Sequence, residues 1–149
     1  LKKALLLLLI FTLIISIVTA CDKNQEASVG EVQIPNIQNE QLKKLVDSWQ
    51  QKNGAYLAAN TAKSDVFYLF LNASNLETGT KPTYFESITV DPKDNVMHIY
   101  YVEKETEESK NIKNKVLYRI PMGSTPNTVR VYKNGEEIYF EDIGTIEEN

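Results

Sequence analysis

Apolar residues along this chain fall into three regimes: a continuous run, a single helical stripe, and a series of short strand-type runs. Positions 4–20 are apolar almost without a break, and the run stops at Cys21. Residues 22–37 then carry Lys, Asn, Gln, Glu, Ser and Gly, with few large apolar side chains. Such a segment buries too little apolar surface to offset its own ordering entropy, which predicts a flexible tether. Beyond it, Leu42, Leu45, Val46 and Trp49 recur at helical spacing and form one stripe. Asn39 suits an N-cap, Glu40 places a negative charge where the helix dipole favours it, and Asn53-Gly54 tolerates the left-handed stop. One helix over residues 40–52 follows, with the stripe as its core face.

After Gly54 the pattern changes to strands. Residues 65–71 form a β-rich run expected to be buried on both faces. Residues 84–90 alternate, with Phe85, Ser87 and Thr89 opposite Tyr84, Glu86, Ile88 and Val90. Asp91-Pro92-Lys93-Asp94-Asn95 reads as a turn, and residues 96–102 return as its partner strand. Residues 103–114 are a run of mixed charge expected as a solvated loop, and 115–120 form another strand ended by Pro121. Residues 128–132 and 136–140 flank Lys133-Asn134-Gly135, where Asn-Gly is a strong hairpin signal. The fold class expected is α+β: a mostly antiparallel sheet or sandwich of about five or six strands with one N-terminal helix.

Charge sharpens the division at Cys21. The whole chain has 149 residues, with 16 Lys+Arg against 20 Asp+Glu. Removing residues 1–20 takes away Lys2 and Lys3 and no acid, so 14 bases face 20 acids and the remainder carries about −6. Lys2 and Lys3, the apolar run and the small residues closing it have the layout of a secretory signal. Val18-Thr19-Ala20-Cys21 resembles the lipobox of bacterial lipoproteins. In that family a diacylglyceryl group is attached to the cysteine sulfur and a peptidase cuts just before it. The resemblance implies a signal peptide over 1–20 and a tether over 21–38 behind a lipidated Cys21. A single β-rich domain over 39–141 and an acidic tail over 142–149 complete the layout. It also implies a bacterial cell membrane location with the domain on the extracytoplasmic side. Two acyl chains anchor stably where one anchors marginally, at ~0.8 kcal/mol per buried methylene.

The remaining inventory contains few parts for catalysis. One cysteine excludes an internal disulfide framework and a cysteine zinc cluster. An acidic domain lacks the basic face that phosphates require, so no nucleic-acid partner is expected. His98 is the sole histidine, and it lies in an alternating strand. It could serve a hydrolase with Ser64, Ser74, Ser87, Ser109 or Ser124, but no nucleophile-elbow motif surrounds any of them. The glycines are scattered, with neither a phosphate loop nor a dinucleotide fingerprint. No cofactor, metal or catalytic residue is therefore assigned. Asn72-Ala73-Ser74 matches a glycosylation sequon. Seven of the eight tyrosines, Tyr56 excepted, fall on or beside expected strands, where cross-strand packing is the default role.

From the helix onward the order of features resembles the protease-stabilising PrcB-like accessory domain of bacterial protease complexes. That family sets an apolar strand before a Gly-x-Lys-Pro-Thr-Gly-Gly-Tyr turn and then a hairpin. Here residues 67–71 precede Gly79-Thr80-Lys81-Pro82-Thr83-Tyr84, and a hairpin follows. Leu117-Tyr118-Arg119-Ile120-Pro121 is similar to the family's apolar strand that meets a proline. The Gly-Gly pair is missing, so Tyr84 stands directly after Thr83. Across residues 45–139 the resemblance implies a β-rich module that binds or stabilises another extracytoplasmic protein. Gly79, Lys81, Pro82, Thr83 and Tyr84 are the expected contact residues. The expected function is thus a non-enzymatic binding or accessory lipoprotein, and the alternative is an envelope hydrolase built around His98.

Overall fold

In a computed structural model of the protein, residues 28–147 are described, Ser64 and Ser109 apart. The apolar run, the lipobox and Cys21 lie outside the described residues. Along the chain come β1 (Gly30–Val32), a 3-10 turn (Ile34–Asn36), α1 (Glu40–Trp49), β2 (Gly54–Asn60) and β3 (Val66–Asn72). There follow β4 (Thr83–Lys93), β5 (Val96–Glu105), β6 (Lys115–Pro121), β7 (Thr128–Lys133), β8 (Glu136–Ile138) and β9 (Asp142–Ile146). They form a five-stranded sheet in the order β1-β6-β3-β2-β9 and a four-stranded sheet in the order β4-β5-β7-β8. Most pairs are antiparallel, and β2·β9 and β5·β7 are parallel. The α+β class stands, with nine strands among the described residues rather than five or six.

The layers are helix, five-stranded sheet, four-stranded sheet, and β3 shows why. All seven of its residues are buried, because its two faces serve different layers. Phe67, Leu69 and Leu71 point at the four-stranded sheet, where Phe85, Met97, Ile99, Tyr101 and Val131 meet them. Val66, Tyr68 and Phe70 point the other way, under Leu42, Val46 and Trp49 of α1. The Asn39 side chain caps α1 by accepting from Leu42 N–H at 2.9 Å. The helix ends at Trp49, three residues short of the expected last helical residue at 52. No helix among the described residues is long and apolar enough to cross a membrane.

Four expectations need correcting. Part of the expected tether over 21–38 is folded: Gly30–Val32 pairs with Arg119, Tyr118 and Leu117 of β6. Val32, Ile34 and Ile37 pack beside the helix, so a few spaced apolar residues suffice where an existing sheet edge satisfies the backbone. The expected acidic tail over 142–149 contains β9, because Ile146 is fully buried and Asp142 meets the Trp49 indole. Pro92 and Lys93 belong to β4, and the turn is reduced to Asp94 and Asn95, both at positive φ. Finally, Phe85 does not sit opposite Ile88 and Val90. A register shift between Phe85 and Ser87 leaves Glu86 as an extra residue, so all three apolar side chains reach the same core.

Candidate functional site

The Lys-Pro-Thr segment lies at the rim of a cleft of about 500 Å³. The cleft opens between the loop leaving β3 and the far end of β5. Its loop side begins with a turn in which Thr80 N–H donates to the Glu77 carbonyl at 3.1 Å. Gly79, with φ of 89°, occupies the position of that turn that requires a left-handed residue. Asn53 and Asn75 lock the base of the loop reciprocally. Asn53 Nδ2 donates to the Asn75 carbonyl at 2.7 Å, and Asn53 Oδ1 accepts from Asn75 N–H at 2.8 Å. Leu76, between this lock and the turn, is 52 % exposed and lines the cleft.

Glu103 fixes the opposite wall. One carboxylate oxygen accepts from the Thr83 hydroxyl at 2.6 Å, and the other meets Lys133 Nζ at 2.9 Å. Its side chain is only 16 % exposed, so this pair is less screened than an ordinary surface bridge. Glu77 and Glu105 add two further carboxylates to the lining, against the single ammonium of Lys81. Lys81 itself pairs with Glu107 in an exposed bridge, which leaves it free to exchange partners at little cost. The cleft is therefore acidic, with one exposed apolar side chain and a rim of amides and hydroxyls.

The five expected contact residues do not share one surface. Gly79, Lys81 and Thr83 line the cleft. Pro82 is half-buried, and its carbonyl accepts from Thr106 N–H at 2.9 Å, so it joins the loop to the end of β5. Tyr84 lines a neighbouring groove with Phe85, Glu86 and Lys113 instead. Asn53, Asn75, Leu76 and Glu103 complete the cleft without a local signal in the sequence. Asn53 and Asn75 pair across 22 residues, and Glu103 meets Thr83 across 20.

His98 lies elsewhere, on the outer face of the four-stranded sheet. It is half-buried, and its Nδ1 is 3.2 Å from the Tyr132 hydroxyl. Tyr132 stacks on Tyr100 at 4.7 Å and on His98 at 5.8 Å, giving a cluster of near-parallel rings. Asp91 and Arg130 are its cross-strand neighbours in register. Of the other tyrosines, Tyr56, Tyr68, Tyr101 and Tyr118 are core residues, whereas Tyr139 is 95 % exposed. Among the described residues no group of three His, Cys, Asp or Glu side chains could hold a metal ion. No protein family, curated protein or solved structure matches the chain.

Proposed function

We propose that the protein is a lipoprotein anchored through Cys21, whose β-rich domain acts outside the bacterial membrane as a non-enzymatic binding or accessory module. The supporting observation is the cleft beside Gly79, Lys81 and Thr83, with its locked walls, its exposed Leu76 and its excess of carboxylates. Locked walls keep down the ordering cost of association, and an exposed apolar side chain with a polar rim is the usual anatomy of a recognition surface. The partner in this reading is another envelope or secreted protein. The membrane contact is made by the acyl chains, while the 129 residues from Cys21 onward carry the recognition.

The test separates the two halves of the reading. Metabolic labelling with a tagged fatty acid should mark the wild-type chain, and Cys21→Ser should abolish both the label and the membrane fraction. A photo-crosslinking residue in place of Leu76 should then yield a discrete adduct in the native host. Changing Lys81 and Thr83 together to Ala should remove that adduct while the chain remains folded. Unlabelled wild-type chain would reject the anchor. An adduct indifferent to Lys81 and Thr83 would reject the cleft.

A further inference from the structure

Asn134 and Gly135 join β7 to β8, and both occupy the left-handed region, at φ of 51° and 88°. Both are exposed, and a Cβ added at Gly135 would meet nothing within 4 Å. The Asn134 side chain nevertheless has fixed partners outside its own hairpin. Its Oδ1 accepts from Glu103 N–H at 2.9 Å, and its Nδ2 donates to the Glu103 carbonyl at 3.0 Å. The side-chain amide thereby mimics one more backbone unit, extending the β5·β7 ladder beyond its last pair, Tyr101 with Lys133. Glu103 is also the residue that binds Thr83 and Lys133 in the wall of the cleft.

We propose that Asn134 is a spontaneous deamidation site, restrained in the folded chain by Glu103, and that its conversion releases the cleft wall. The backbone nitrogen of Gly135 gives up its proton to solvent and attacks Asn134 Cγ. The new N–Cγ bond closes a succinimide as the Cγ–Nδ2 bond breaks, and Nδ2 leaves as ammonia. Water then adds to either ring carbonyl and opens the ring to an aspartyl or isoaspartyl residue. The sum is one water consumed and one ammonia released. Glycine is the successor that allows this, since it has no side chain to obstruct the attack.

The fold acts on both ends of the reaction. Attack requires the Asn134 amide to turn away from Glu103, so the rate follows the population of the open turn. In the product an oxygen replaces the Nδ2 donor and faces the Glu103 carbonyl, so that half of the clamp is lost and the repulsion between two acceptors weakens the half made to Glu103 N–H. The isoaspartyl form also lengthens the main chain of a two-residue turn, which shifts the hairpin register. The chemistry depends only on the turn, so its outcome is independent of whether the cleft captures a partner.

The full chain in detergent and a free peptide spanning residues 130–138 are incubated at mildly alkaline pH and followed by peptide mapping. The expected result is a gain of about 1 Da at Asn134 in both, with isoaspartate detectable. Conversion in the folded chain should be slower by about tenfold, and urea should abolish the difference. Hydrogen exchange then reads the consequence. Asn134→Asp should speed exchange at the Glu103 amide while the amides of β3 stay protected. Asn134→Gly, which keeps the positive φ and deletes the side chain, repeats that readout if the aspartate variant folds poorly. Equal rates in chain and peptide, no conversion in urea, or a Glu103 amide as protected in both variants as in the wild type would each overturn the proposal.

Discussion

The indole Nε1 of Trp49 donates to the Asp142 carboxylate at 2.8 Å, tying the end of α1 to the first residue of β9 across 93 positions of sequence. The same ring stacks on Tyr56 at 5.3 Å and lies near-parallel to Phe70 at 6.4 Å. Trp49→Phe keeps most of the stacking and deletes the donor, and a hydrogen bond to a charged acceptor contributes ~1.5–3 kcal/mol. A lower urea midpoint at unchanged slope is the expected outcome. Asp142→Ala should cost little more once Trp49 is already Phe, which a double-mutant cycle measures directly.

Gly144 lies against α1 so closely that a Cβ there would stand 2.6 Å from Leu45 Cδ1 and 2.8 Å from Cδ2. Gly144→Ala must push the helix or the half-buried Leu45 aside. Overpacking of this kind costs ~1–3 kcal/mol, and the partial exposure of Leu45 places this case near the lower end. Leu45→Ala combined with Gly144→Ala should recover part of the loss in thermal unfolding. A strictly additive pair would show that the contact is not what makes Gly144 necessary.

Asn72 heads the sequon Asn72-Ala73-Ser74, but its side chain is 2 % exposed and fully employed. Nδ2 donates to the carbonyls of Gln50 at 3.2 Å and Lys52 at 2.9 Å, while Oδ1 accepts from Ser74 N–H at 3.0 Å. It thus supplies a donor to carbonyls just past the end of α1, which have no helical N–H to meet. Asn72→Ala should lower stability by roughly 1–2 kcal/mol, because Ser74 N–H loses its acceptor while Tyr56 and Asn75 still donate to the Lys52 and Gln50 carbonyls. A glycosylating host should leave Asn72 unmodified in the folded chain, as intact mass will read.

Burial, with the Glu103 carboxylate adding to it, holds the Tyr101 hydroxyl well above its ordinary 10.0. Tyr56 and Tyr118 move in the same direction, with burial the leading cause in both. Below about pH 10 folded and unfolded chains are alike neutral at these hydroxyls, so they add no pH slope. Above it the unfolded chain sheds protons that the folded chain retains, and stability falls with pH, for Tyr101 by up to ~1.4 kcal/mol per pH unit until its folded hydroxyl also ionises. Tyr101→Phe should remove one group's share of that alkaline slope and leave stability at neutral pH flat. An unchanged alkaline limb would contradict the assignment.

The candidate site was legible only in part. Gly79-Thr80-Lys81-Pro82-Thr83 stands out because glycine, proline and threonine are turn chemistry between two apolar runs. The side chains that make it a cleft have no such signal. Asn53 reads as a helix stop, Glu103 as one charge among many, and Asn134 as a hairpin turn. The turn reading holds for Asn134, whereas the helix stops at Trp49 before Asn53, and Glu103 lies within β5 rather than in a solvated loop. Glu103 and Asn134 also meet each other, because parallel pairing of β5 with β7 sets them side by side. Long-range parallel pairing leaves no mark on local periodicity.

By itself the sequence determined the helix and its face, the doubly buried strand, the central hairpin and the Asn-Gly turn. These are short-range matters, set by a cap, a stripe of period 3.6, an apolar run, and residues that tolerate positive φ. Only the tertiary structure decided the edges. Gly30–Val32 and Asp142–Ile146 are too short and too polar to declare themselves, and each becomes a strand because a neighbouring strand already offers unpaired backbone groups. The register of β4 was decided the same way. Burial of Phe85, Ile88 and Val90 on one face outweighed strict alternation, and the chain met it by bulging at Glu86.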